Sequence, residues 1–326
     1  MRLPGCAGAC LHRVPEGCAV VRFRGERIVP LFPEVLGLMG NPRDESVEDR
    51  QGLLAQDDHM GGMERIEMVV TDILRPCASV TRVMARIAPS SPQIWQRPNV
   101  AVRLEVETPE GQRPVSRIYT VRSFDAARSL IELDFVMHPD DSPAMRWLAR
   151  AHVGMATMLV GPRPHFVPDF ECGRKVALFA DETAIPAIYA ILQQWQAPAQ
   201  GVVYVETADR AAFDELPDVP GVQKHLLLRQ PHEHAGETTL LVDAAMALSD
   251  PKGWTVWAAG ERGTARAIRT YFTQDHGLSR EEVRVFGYWR AGVSSSQIDR
   301  VRLGHYTDLR ARGEKLERFE DLDLPV

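Results

Sequence analysis

The chain has 326 residues, a formal net charge of −6 and 44% hydrophobic residues; this length suggests two domains and the composition suits a sizeable core. The acidic balance argues against a nucleic-acid partner, which usually meets a basic face, and no run approaches the roughly 18 apolar residues of a membrane span. The five cysteines (Cys6, Cys10 and Cys18 near the start, Cys77 and Cys172 alone) make neither a disulfide framework nor a strong zinc pattern, and with no apolar signal region after Arg2 the profile reads as cytoplasmic.

Residues 1–62 are read as an extension without legible chemistry, with a short strand over 19–23, a short helix over 47–55 and the breaker pair Gly61-Gly62. From 63 to 165 the pattern is β: segments 66–70, 80–87, 100–106, 115–121 and 130–136 alternate and are rich in β-branched residues. Their short, regular spacing predicts an antiparallel barrel, interrupted by a helix over 143–151. From 166 onward, strands at 176–180, 202–206, 224–228, 254–259 and 283–286 alternate with helices at 184–195, 210–216 and 264–274. That alternation predicts a parallel sheet covered by helices on both faces. A polar helical tail runs over 294–313. A β-barrel followed by an α/β domain is the arrangement of ferredoxin-reductase-like flavoenzymes, so fold analogy supplies a prior.

Two stretches of the barrel carry candidate chemistry. In Arg117-Ile118-Tyr119-Thr120-Val121-Arg122, alternation puts Arg117 and Tyr119 on one face. An aromatic ring can stack on a flavin, a guanidinium fork can pair with phosphate, and Thr120 can hydrogen-bond the ring or its ribityl chain. A charged edge strand with one core aromatic is the plain alternative. The second stretch runs from Asp134-Phe135-Val136-Met137-His138 to Ser142-Pro143-Ala144-Met145-Arg146-Trp147. Ser142 suits an N-cap and Pro143 the first helical position, and a helix start after a strand offers free N–H groups to phosphate. For Trp147 the plain alternative is core packing, and for His138 a loop.

Together these stretches resemble the siderophore-interacting protein family of FAD-dependent ferric-siderophore reductases. Arg117–Arg122 is similar to its Arg-x-Tyr-Thr-x-Arg strand, 134–138 to Asp-Phe-Val-x-His, and 142–147 to Gly-Pro-Ala-x-x-Trp with serine for glycine. Gly161-Pro162-Arg163, Asp181-Glu182-Thr183-Ala184-Ile185-Pro186, Ala259-Gly260-Glu261 and Gly287-Tyr288-Trp289-Arg290 resemble further segments, so the likeness spans about 75–295. Pro139 stands where the family usually has glycine, and Ala180 replaces another.

The resemblance implies a ferredoxin-reductase-like fold: an FAD-binding barrel over 63–165 and an NAD(P)H-binding α/β domain over 166–326. It places FAD on Arg117, Tyr119, Thr120, Asp134, Val136, His138, Ser142, Ala144 and Trp147. It places the nicotinamide nucleotide, NADPH favoured over NADH, on Asp181, Glu182, Thr183, Ala184, Glu206, Ala259, Gly260 and Glu261. Glu206 would favour a ribose 2′-hydroxyl and Arg210 a 2′-phosphate. Trp289 would cover the exposed flavin face. Arg122, Arg163 and Arg290 are expected to form a cationic patch for an anionic ferric siderophore. No protein nucleophile, general base or resident metal is expected, since the cofactor carries the redox chemistry; His232 and His234 are read as loop surface. A monomer or weak dimer is expected. A general flavin or electron-transfer reductase and a non-catalytic siderophore carrier are the alternatives.

Overall fold

The computed structural model describes residues 21–22, 62–110, 114–170 and 173–313. The helix read at 47–55 and four of the five cysteines lie outside them. Cys77 is described, and is a buried free thiol.

Alternating apolar residues build an antiparallel sheet from β1 (Val21–Arg22), β2 (Glu64–Cys77), β3 (Val80–Ile87), β4 (Val100–Glu107), β5 (Val115–Asp125), β6 (Leu130–Val136) and β7 (Ala156–Pro164), ordered β1-β2-β3-β6-β5-β4-β7. A further β2–β7 pairing closes six of these strands into a barrel. The closure depends on the 14-residue β2. Its first half pairs with β7 and its second with β3, and register shifts after Val70 and Leu74 let it bend between them. Val83, Leu104, Ile131, Leu133, Phe135 and Leu159 fill the interior, all fully buried. Helix α1 (Pro92–Trp95) seals one side with Trp95, and α2 (Pro143–Arg150) closes another.

The second layer is a parallel sheet of β8 (Lys175–Asp181), β9 (Gly201–Thr207), β10 (Val222–Leu228), β11 (Trp254–Glu261) and β12 (Val283–Trp289), ordered β10-β9-β8-β11-β12. Helices α3 (Ile185–Gln193), α4 (Arg210–Asp214), α5 (Leu240–Met246) and α6 (Arg262–Thr270) cover its faces, and α7 (Ser295–Ala311) follows β12. Both faces are buried, which is why β8 and β11 read as continuous apolar runs. The chain winds outward from β8 in one direction and from β11 in the other, so the topological switch point lies between them. In such sheets ligands bind outside the carboxyl ends of the strands at this crevice.

The sequence reading missed β7 and α5, and stopped β2 too early. Asp72, Arg75 and Pro76 obscure the second half of β2, where the bulges also break its alternation.

Candidate functional site

On the barrel, alternation does place Arg117 and Tyr119 together. They pair across β4 with Leu104 and Val102, both buried, so their shared face is the one that lines the core. The Tyr119 ring lies 4.3 Å from Phe135, which stacks on Trp147 at 5.3 Å and 8°. Burial pushes the Tyr119 hydroxyl up against the opposing charge of Arg117. Trp147 is therefore a core residue, and Ala144 is buried beside it. Arg117 donates to the Ser116 carbonyl at 2.9 Å and to Ser296 Oγ of α7 at 3.2 Å. Ser142 caps α2, its Oγ accepting from the Met145 N–H at 3.4 Å, with Pro143 opening the helix. Val136 is half-buried at the end of β6 and His138 is exposed just beyond it.

The outward face of the same strands does something the sequence did not announce. Asp134 is buried and accepts from Arg82 at 2.6 and 3.0 Å and from Arg122 at 3.2 Å. Arg82 also forks onto Glu215, at 2.7 and 3.1 Å. Burial alone would lower the Arg82 pKa, but Asp134 and Glu215 raise it well above the ordinary value. The Arg122 guanidinium lies 3.6 Å from the centroid of the Tyr189 ring on α3. These side chains join the barrel to the α/β layer. Arg122 is 3% exposed, so it is withdrawn from the surface where a capture patch was expected, and Asp134 is spent on the same ion cluster. Arg163 is exposed on β7. Arg290 is half-exposed, with Nη1 3.4 Å from Glu261 Oε1. The three arginines thus occupy three different surroundings.

At the switch point, Asp181 ends β8 and is buried. Its Oδ1 accepts from Thr183 N–H at 2.9 Å and from Thr183 Oγ1 at 2.5 Å. Its Oδ2 accepts from Glu261 N–H at 2.8 Å and from Trp289 Nε1 at 2.7 Å. The turn's Thr183 N–H, expected to face a nucleotide, is therefore held by Asp181 itself, and Ala184 is fully buried. Gly260 (φ +147°) makes this approach possible, because a Cβ there would lie 2.4 Å from Asp181 Oδ2. Ala259 is buried within β11. Glu261 caps α6, its Oε2 accepting from Thr264 N–H at 2.9 Å. A cleft of ≈ 340 Å³ opens here, lined by Gly236, Glu261, Thr264 and Arg290 among others.

Glu206, expected at a ribose, is buried: its Oε1 accepts from Arg229 at 3.2 Å and Thr238 Oγ1 at 2.8 Å. Arg229 also forks onto Glu182 at 2.5 and 2.7 Å. Arg210 is exposed after β9. Sequence reasoning missed Arg229, and it gave no role to Tyr288, whose hydroxyl donates to Asn99 Oδ1 at 3.2 Å. The barrel and the end of β12 thus touch. Only the fold could show these, since each partner is distant in the chain.

Residues 78–166 match the siderophore-interacting FAD-binding domain and residues 173–292 the siderophore-interacting protein model. The ferric acinetobactin reductase of Acinetobacter baumannii is 42% identical over 281 residues, 86% of this chain and 98% of that protein. The ferric vibriobactin reductase ViuB of Vibrio cholerae is 26% identical, over 58% of this chain and 70% of that protein. A solved siderophore-interacting protein from Acinetobacter superposes with a TM-score of 0.73 at 42% identity, covering 76% of this chain and 99% of that one. The ferredoxin reductase of carbazole 1,9a-dioxygenase shares the fold, with a TM-score of 0.55 at 13% identity over 72% of this chain and 73% of that one. A six-stranded barrel bearing an FAD-binding domain, followed by a parallel sheet, is the ferredoxin-reductase architecture, and this chain belongs to the siderophore-interacting protein family.

Proposed function

We propose that the chain is an NAD(P)H-dependent ferric-siderophore reductase that works through FAD, with a barrel domain over 63–165 and a nucleotide domain over 166–326. The observation that carries this is the junction of the two layers. Asn99, next to the strand that pairs with the flavin-type strand, is bonded to Tyr288, whose neighbour Trp289 is bonded to Asp181 at the switch point. A donor seated on the sheet and an acceptor seated on the barrel would meet there.

The residues present suit FAD. An aromatic ring, a guanidinium fork and a capped helix start follow one another around one end of the barrel. Tyr119, backed by Phe135, would offer the ring a rigid apolar surface. Arg117 would pair with phosphate, Thr120 would hold the ring edge, and Val136, His138 and the first turn of α2 would border the rest. FAD, when bound, supplies the step between a two-electron nicotinamide donor and a one-electron ferric acceptor. Asp181, Glu182, Gly260 and Glu261 would border the donor. NADPH is favoured over NADH, because the Glu206 carboxylate that would select a 2′-hydroxyl is held by Arg229 and Thr238 while Arg210 stays exposed.

The names of the relatives support a ferric siderophore as substrate. Such chelates hold Fe(III) through hard oxygen donors, and reduction to the softer Fe(II) loosens that grip. Arg163 and Arg290 remain accessible for an anionic chelate; Arg122 does not. The test is anaerobic. Protein loaded with FAD should bleach on adding NADPH, and its colour should return on adding a ferric catecholate, hydroxamate or citrate complex. Bleaching without reoxidation by any chelate would make it a general reductase. A folded protein that takes up no flavin would overturn the proposal.

A further inference from the structure

We propose that Asp181 is a positioning residue: its carboxylate pins the Trp289 indole and the Gly260–Glu261 turn, and through Tyr288 sets where the barrel meets the switch point. The inference rests on the reading that the nicotinamide donor sits at this crevice.

A carboxylate that merely caps a turn needs only local donors. Asp181 has those from Thr183, yet its second oxygen reaches across the sheet to two other strands, meeting Glu261 N–H of β11 and Trp289 Nε1 of β12. Three of its four donors are N–H groups that cannot turn round to accept, so both carboxyl oxygens must keep accepting for the set to hold. Gly260 leaves room for nothing larger than hydrogen beside that oxygen. Trp289 is held from the other side as well, because a Cβ on Gly236 in the β10–α5 loop would come within 2.9 Å of its ring. Its neighbour Tyr288 is tied to the barrel through Asn99. The dipeptide Tyr288-Trp289 is thus anchored once to each layer, and Asp181 is the anchor on the sheet side.

The charges around Asp181 are distributed to leave it this task. Glu182 on its own turn is engaged by Arg229, which also holds Glu206 of β9. Glu261 turns its carboxylate away, toward Thr264 N–H and Arg290. No cation is bonded to Asp181 among the described contacts, so its partners are dipoles that orient rather than neutralise.

Two readouts test this. In flavin-free protein, the emission of Trp289 is isolated as the difference between wild type and Trp289→Phe, each also made with Asp181→Asn. Release of the pin shifts that emission to the red and opens it to acrylamide quenching; an unchanged spectrum and quenching overturn the proposal. In FAD-loaded protein, Asp181→Asn and Trp289→Phe should each slow bleaching by NADPH about tenfold, and the double variant no further, since both remove one interaction. Additive losses, or an unchanged rate in Trp289→Phe, overturn it. Should Asp181→Asn fail to fold, Trp289→Phe carries the rate test alone. A wild type bleached by neither nucleotide would sink the donor assignment, while the fluorescence measurement would still decide the pin.

Discussion

Asp181 shows how a single buried side chain is balanced. Burial, followed by the charge of Glu182, pushes its pKa from 3.8 up to about 7, against the opposing hydrogen bonds of Thr183 and Trp289. An acid raised in this way binds its proton more tightly folded than unfolded. The associated stability is complete below about pH 4 and is lost as pH rises toward 7. Wild type should therefore lose stability relative to Asp181→Asn across that window, read as the difference in urea midpoints at pH 4, 5.5 and 7. A constant difference would refute the burial account. The residue was legible as part of Asp181-Glu182-Thr183-Ala184, but its partners were not. Trp289 lies 108 positions away, and no local pattern links them. Glu206 shows the same limit: the type of residue pointed to a ribose, while burial and Arg229 turned its carboxylate inward.

Elements are most closely fitted where strands lie side by side, and the pairing of β8 with β11 is one such place. The two strands run in parallel register from Trp254↔Lys175 to Ala259↔Ala180, and the register of β11 with β12 shifts between Gly260 and Glu261. Gly260 combines a left-handed φ of +147° with direct contact to Asp181. Gly260→Ala should therefore combine backbone strain with overpacking, costing about 3 kcal/mol, measurable as a lower urea midpoint with an unchanged m-value. A loss below about 0.5 kcal/mol would mean that the strand ends yield freely. At this scale the sequence was most legible where patterns were strong. β8 and β11 read clearly as apolar runs, and Ser142-Pro143 marked the start of α2. It was least legible in β7, whose outer residues are only partly buried, and in β2, where two bulges break the period.

The whole molecule depends on how its two layers are held together. The joint is charged: Arg82 and Arg122 of the barrel face Asp134 and, across the interface, Glu215. A second tie runs from Asp209 Oδ2 to the Ser79 N–H at 2.9 Å. Arg82→Met would leave the buried Asp134 carboxylate and the partly exposed Glu215 carboxylate around one remaining arginine, at a cost of about 3 kcal/mol. The expected outcome is a lower unfolding midpoint that Glu215→Gln in the same chain partly restores, followed by far-UV circular dichroism in urea. Equal stability in Arg82→Met would show the cluster to be ornamental. Composition, periodicity and segment order alone determined that a barrel precedes a parallel sheet, because alternation and apolar runs depend on near neighbours along the chain. They also determined which short motifs to inspect. The tertiary structure decided which of those side chains face a crevice and which are consumed in holding it. Arg82 and Glu215 are 133 positions apart; a charge becomes structural or accessible only when folding chooses its partner and removes its water.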